Sequence, residues 1–491
     1  MIEDDDPVAE TRERFGEIDD GALGAAETAL PRRAAVEKDA ARLIEEDRQD
    51  ARGGRTRPPR ERGLGGTESA IVYLAEALAR LGHRVVVLNH CETPTEYQGV
   101  EYARWETLAT RALADRPDVL VGVRYWQLIG RARLAPLQLL WTGDAFDQPF
   151  LEGLADPAAR AQIDFLMLQS DWQASTFQAA FGLPSWRILR TRLGPAATAD
   201  TAAQPPAPGR RPRKLAYAST PFRGLDVLLE AFPAIRAACP DAELDVFSSM
   251  GVYGLSAAED EKQFGALYAK ASQPGVNLVG SLPQPELARR LEQVRVLAYP
   301  NHFAETFCIA AIEAQAAGCA VVTSTLGALP ETVGEGGVCI AEQPGTPAFQ
   351  KAFVDECVRL LTDEDAWHRT SERAIERAWG TYGWPVIAAG WDATLRSVLA
   401  EEPPMLERVK VHLTNGRAAL ALKMLQRDPA PGSVPPSAWK ALTAFAAWQA
   451  GEGAAVPDTE LQEIALRFPT MRATIAAVAR GTSKSQDPRT N

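Results

Sequence analysis

Two hydrophobic patterns alternate along most of this chain. Short apolar runs rich in β-branched and aromatic residues read as buried strands, and the segments between them carry apolar residues at helical spacing. The clearest stretch is residues 294–331. Val294 to Pro300 is a buried strand that breaks at Pro300-Asn301. Helical spacing runs from Thr306 to Ala317 until Gly318 stops it, and Ala320 to Thr325 is a second buried strand. Strand, loop, helix and strand make one parallel crossover unit. Upstream, a strand begins at Lys214, followed by a helix over Leu225–Ala238, strands over Leu244–Ser248 and Val276–Gly280, and a helix over Pro285–Gln293. This alternation predicts an α/β fold with parallel sheets.

The first half repeats the plan. Thr67 is placed to cap a helix over Glu68–Leu81, with Ile71, Leu74, Leu78 and Leu81 on one face and Gly82 at its end. His83–His90 reads as a strand, with further candidates at Val119–Tyr125, Leu137–Thr142, Phe165–Gln169 and Trp186–Leu193. Residues 63–195 and 214–384 are thus two α/β units, joined by a Pro-, Ala- and Arg-rich linker over 196–213. Residues 1–62 are an acidic, then basic and Gly/Pro-rich, extension with little to bury. A helix over Pro385–Leu399, within the segment 385–400, carries Trp391 and Leu395 as packing anchors. A helical tail follows over 401–491, with helices at Met405–Arg427, Pro436–Gly451 and Thr459–Arg480.

At 491 residues and 46% hydrophobic, the chain has the material for several domains and a large core. A net charge of −12 argues against nucleic acid as a partner. The six cysteines form no C-x-x-C pair and read as buried free thiols of a reducing compartment. With neither a signal peptide nor a membrane-spanning run, a cytoplasmic protein is expected. None of His83, His90, His302, His368 and His412 pairs at zinc-ligand spacing, so no metal site is expected.

The candidate chemistry gathers in the crossover unit. Glu305 lies in its loop and Glu313 about two turns into its helix. Backbone N–H groups at the helix start, at Phe307 and Cys308, suit a phosphate, and the two carboxylates suit hydroxyls. Phosphates flanked by sugars describe a nucleotide-sugar. The Gly65-Gly66 turn lets backbone approach a phosphate or an acceptor, but G-x-G-x-x-G fails at Glu68.

The run Glu305-Thr306-Phe307-Cys308-Ile309-Ala310-Ala311-Ile312-Glu313, with Gly318 and the Gly327–Glu331 stretch, resembles the E-x7-E motif of family 4 retaining glycosyltransferases. That resemblance covers roughly Gly63 to Leu399. It implies the GT-B fold: two Rossmann-like domains facing a cleft, the first for acceptor and the second for donor, closed by a crossover helix. It also implies roles. Glu305 meets the donor sugar hydroxyls, Glu313 the ribose, and the Arg223-Gly224 turn the diphosphate. Gly65 and Gly66 match the family's N-terminal glycine loop. Trp141-Thr142-Gly143-Asp144 falls where relatives carry His-Asp, so Asp144 keeps a role in orienting sugar or acceptor, while Gly143 removes the histidine. Relatives begin with a buried strand before the glycine loop. No apolar run precedes Gly63, so that first strand is expected to be missing.

The implied activity is transfer of a sugar from a UDP-, GDP- or ADP-linked donor to a glycan, glycolipid or small-molecule acceptor hydroxyl, with retention and without a further cofactor. A non-catalytic scaffold and a GT-B epimerase or phosphorylase are the alternatives. Peripheral membrane association and protein docking through 401–491 stay open.

Overall fold

The computed structural model describes residues 66–485 apart from 90, 92, 201, 254, 400–403, 428–429 and 431–433. In the first lobe, β1 (Val85–Asn89), β2 (Thr95–Tyr97) and β3 (Val100–Arg104) form one sheet in the order β1-β3-β2. A second, all-parallel sheet runs β4 (Val119–Val123), β5 (Leu137–Trp141), β6 (Phe165–Leu168) and β7 (Ile188–Arg190). The β2-β3 hairpin has no forerunner in the hydrophobic pattern because its strands are short and largely polar. A two-residue turn sets it, with φ of 51° at Gln98 and 77° at Gly99. Gly65, and the strand expected to be missing before it, lie outside the described residues.

The second lobe holds six parallel strands: β8 (Lys214–Ala218), β9 (Glu243–Phe247), β10 (Val276–Leu278), β11 (Val296–Tyr299), β12 (Ala320–Ser324) and β13 (Gly337–Ile340). Their spatial order is β10-β9-β8-β11-β12-β13. The order therefore reverses between β8 and β11. In a doubly wound sheet, this switch point opens the crevice at the carboxyl ends of the strands.

Several elements depart from the sequence pattern at their ends. The first helix spans Gly66–Arg80, so Thr67 lies inside it rather than capping it. The helix expected from Thr306 begins only at Ile309. The expected helix over Met405–Arg427 is two, Pro404–Thr414 and Ala418–Arg427, with Gly416 at φ 70° between them. The last expected helix is likewise split, into Asp458–Arg467 and Arg472–Ser485, by Pro469.

The linker is docked rather than loose. Arg211 is buried and donates to the carbonyls of Val294 at 2.7 Å and Ala317 at 2.6 Å. Burying a guanidinium there is tolerated because carbonyl oxygens stand in for water. The tail is docked too. Arg472 pairs with Asp164 at 3.0 Å, and Gln462 Nε2 donates to the Ile188 carbonyl at 2.6 Å. One apolar core runs through the first lobe, helix Trp384–Leu399 and the tail, and takes in Phe307 and Ile312 of the second lobe. A separate core fills the second lobe around Phe232, Phe353 and Trp367.

Trp384–Leu399 is the helix that ties the end of the second lobe back to the first. Trp391 meets Trp141 edge-on with ring centroids 5.7 Å apart, and its Nε1 donates to Thr191 Oγ1 at 2.7 Å. Trp391→Ala is expected to destabilise the protein by about 3–5 kcal/mol, seen as a lower urea midpoint. Thr191→Val, which strands the indole N–H, should cost about 1–2 kcal/mol.

Candidate functional site

The loops after β8 and β11 carry Arg223 and Glu305 to the two sides of the switch point. Their backbones approach closely: a Cβ on Gly224 would lie 2.3 Å from the Pro300 carbonyl oxygen, and Gly224 has φ 106°. Only glycine meets both demands. Gly327 does the same for Glu305. It pairs with Glu305 in a single parallel bridge, takes φ 62°, and leaves 2.3 Å between a built Cβ and the Glu305 carbonyl oxygen. Ala328 N donates to that carbonyl at 2.7 Å.

Glu305 is 5% exposed. Its Oε1 accepts from Arg223 Nη1 at 2.8 Å and from the Tyr299 hydroxyl at 2.6 Å. Arg223 lies over the Phe303 ring, 4.7 Å from its centroid, and its Nε is enclosed without a hydrogen-bond partner. Burial lowers the arginine's proton affinity, but the fields of Glu305, Tyr253 and Tyr299 outweigh it and leave the pKa raised, so the charge is permanent. Tyr299, which the hydrophobic pattern marks only as a strand residue, is held neutral by burial first and by the neighbouring Glu305 second. Nothing in the spacing singles it out. Its role depends on the loop folding back over the strand end.

Glu313 sits inside the helix Ile309–Ala316, 8% exposed, and accepts from Ala196 N of the linker at 2.8 Å. Burial pushes it up from 4.5 to about 7, opposed by that one hydrogen bond. Phe307 and Cys308 precede the helix, and Cys308 takes φ 75°, a left-handed conformation unusual for a residue with a Cβ. The Cys308 thiol lies against the amides of Ala310 and Ala311 and is pushed up by burial. The helix itself begins at Ile309, two residues after Phe307.

Across the crevice, Asp144 follows β5. It accepts two bonds from Arg124, each 2.8 Å, and one from Thr142 Oγ1 at 3.0 Å. A carboxylate held bidentately by arginine is an orienting group rather than a free base. Ser170 is the cap of helix Asp171–Phe181, its Oγ accepting from Gln173 N at 2.9 Å. His302 lies 3.7 Å from Asp226. Gly66 opens the first helix, where a Cβ would lie 3.5 Å from Ile309 Cγ2. Gly66 thus lies beside the start of the site helix.

The lobes touch through polar contacts. Thr306 Oγ1 donates to the Gly143 carbonyl at 2.6 Å, the Tyr73 hydroxyl to Gln284 Oε1 at 2.8 Å, and Asp171 N to Glu331 Oε2 at 2.7 Å. Arg192 pairs with the other oxygen of Glu331. No group of three or more His, Cys, Asp or Glu suited to a metal occurs among the described residues. No helix of the described residues is long and apolar enough to cross a membrane.

Residues 214–363 match the family model described as glycosyl transferases group 1. That segment contains the switch point, Arg223, Glu305 and Glu313. The D-inositol 3-phosphate glycosyltransferase of Corynebacterium glutamicum (strain R) is 30% identical over 182 residues, 37% of this chain and 42% of that protein. The MMP alpha-(1->4)-mannosyltransferase of Mycolicibacterium hassiacum is 29% identical over 289 residues, 58% of this chain and 63% of that protein. The alignments span less than two thirds of either relative. Among solved structures, the sucrose-phosphate synthase from Thermosynechococcus elongatus superposes over 70% of this chain and 96% of its own, with a TM-score of 0.52 and 18% identity. The fold is GT-B, with a helical C-terminal part.

Two expected outcomes test the site's energetics. Glu313 holds its proton more tightly folded than unfolded. Its contribution to stability is therefore complete below pH 4.5 and is lost as pH rises through about 7. Glu313→Gln should be more stable than wild type at pH 8, by about 3 kcal/mol, with the advantage vanishing towards pH 4.5 in urea titrations. Cys308→Gly should keep stability to within about 1 kcal/mol, because it relieves the left-handed strain, whereas Cys308→Val should cost about 2 kcal/mol or more.

Proposed function

We propose that this chain is a retaining glycosyltransferase that moves a sugar from a nucleotide diphosphate donor to an acceptor hydroxyl. The observation that carries the proposal is the pairing of Arg223 with Glu305 across the switch point, beside the start of helix Ile309–Ala316. Both curated relatives are named for glycosyl transfer, which supports the same reading.

In this reading Arg223 takes the diphosphate. Its forked donors suit phosphate oxygens, and one nitrogen already lacks a partner. The first-turn amides of the site helix receive the distal phosphate as it leaves, and stabilising that departing charge is the main catalytic contribution. Glu305, held on one oxygen by Arg223 and Tyr299, binds hydroxyls of the transferred sugar. Glu313 binds the ribose, exchanging the Ala196 amide for ribose hydroxyls. Asp144, fixed by Arg124, orients sugar or acceptor from the opposite lobe. Retention follows if the departing phosphate itself assists the incoming hydroxyl on the same face. That route needs no protein nucleophile.

A thermal-shift screen of UDP-, GDP- and ADP-sugars tests the reading. A donor at about 100 times its Kd stabilises the fold by about 2.7 kcal/mol, a rise in Tm of several degrees. Glu305→Gln should lower donor hydrolysis on the order of 100-fold, and NMR of the product should show the donor's anomeric configuration. A chain that neither binds nor turns over any of these donors would instead be a non-catalytic scaffold.

A further inference from the structure

We propose that the side-chain amide of Gln169 is a carbohydrate-hydroxyl-reading group of the crevice, occupying space that is open only because residue 143 is glycine. The inference rests on the proposed function for its ligand class, though not for its geometry.

Gln169 follows β6 at the strand's carboxyl end, the side on which the crevice opens. Its backbone is pinned on both sides: its N–H donates to Gln173 Oε1 at 2.7 Å and its carbonyl accepts from Arg192 Nη1 at 3.0 Å. The side chain lies directly over Gly143. A Cβ at 143 would fall 2.5 Å from Gln169 Nε2 and 3.0 Å from Oε1. Any larger residue at 143 would displace it.

Gln169 is 5% exposed, yet neither its Nε2 nor its Oε1 makes a hydrogen bond among the described residues. A fully enclosed amide is ordinarily paired. Neither Gln169 amide atom is among the enclosed side-chain atoms without a partner, so both keep contact with solvent. Gln173, on the next helical turn, shows the ordinary case: its Nε2 donates to the carbonyls of Thr142 and Asp144. Gln169 therefore holds one donor and one acceptor in reserve beside Gly143, whose carbonyl also accepts from Thr306 of the other lobe at 2.6 Å. An uncharged donor–acceptor pair of this kind matches two neighbouring hydroxyls of a sugar and gives no advantage to a phosphate. The sugar can belong to the donor or to the acceptor.

Gln169→Leu, close in volume and apolar, separates these cases. Without ligand its Tm should equal or exceed that of wild type, because the amide makes no hydrogen bond within the described residues for the substitution to break. Gly143→Ala, which pushes the amide aside, should reproduce the ligand effects. If the donor sugar is read, the variants lose about five- to tenfold in affinity for UDP-glucose or GDP-mannose and none for UDP or GDP. If the acceptor is read, donor affinities hold and the saturation-transfer NMR signal of methyl α-glucoside or methyl α-mannoside is lost. A fall in Tm of several degrees in Gln169→Leu would show that the amide is structurally paired and overturn the proposal. Ligand behaviour equal to wild type in both arms would overturn it as well. Failure of every nucleotide to bind would count against the glycosyltransferase reading, while the Tm and methyl-glycoside comparisons would still judge Gln169.

Discussion

Everything at this site turns on one buried ion pair. Arg223 and Glu305 come from loops that leave neighbouring strands at the place where the strand order reverses, and they meet at 2.8 Å in a largely enclosed setting. Removing one partner of such a pair leaves the other charge largely enclosed and uncompensated, so each loop's placement depends on the other. Tyr299 completes the arrangement from below, and Gly224 and Gly327 permit it by leaving no Cβ in the way. One consequence is a site that is charged, compact and already oriented before any ligand arrives.

The second constraint is that the lobes share a core. Phe307 and Ile312 of the second lobe belong to the same apolar core as Trp141, Trp384 and Trp391, and Phe307 meets Tyr382 edge-on with ring centroids 5.5 Å apart, so the start of the site helix is anchored in that shared core. Glu313 is enclosed as a result and meets the linker amide of Ala196 in place of water. The same enclosure that raises its pKa makes any hydroxyl hydrogen-bonded to it count for more than it would in solvent. Stability is given up locally for that.

Two further concessions lie beside the crevice: Cys308 in a left-handed conformation and Arg223 Nε enclosed without a partner. Each is unfavourable by itself, and together they concentrate at the carboxyl ends of strands. Other buried polar groups are paired, as Arg211 and Arg295 are by carbonyls and Gln138 is by three of them, while the indole nitrogens of Trp126, Trp186 and Trp384 are enclosed without a partner among the described residues.

The periodicity of apolar residues was enough to establish the parallel α/β construction, the second-lobe strands other than β13, and the position of Glu305 and Glu313 in a strand-loop-helix unit. These are local properties, set by side-chain period and by glycine and proline stops. Helix starts were less legible: the site helix begins three residues late because a buried Phe307 and a left-handed Cys308 consume the turn before it. The polar β2-β3 hairpin, the splitting of the tail helices and the docking of Arg211 left no periodic trace. Only the tertiary structure decided that Tyr299 holds Glu305, that Arg124 neutralises Asp144, and that Gln169 lies where Gly143 leaves room. Those pairings join residues that no spacing rule connects, and they exist because the sheet order brings strand ends together that are far apart in the chain.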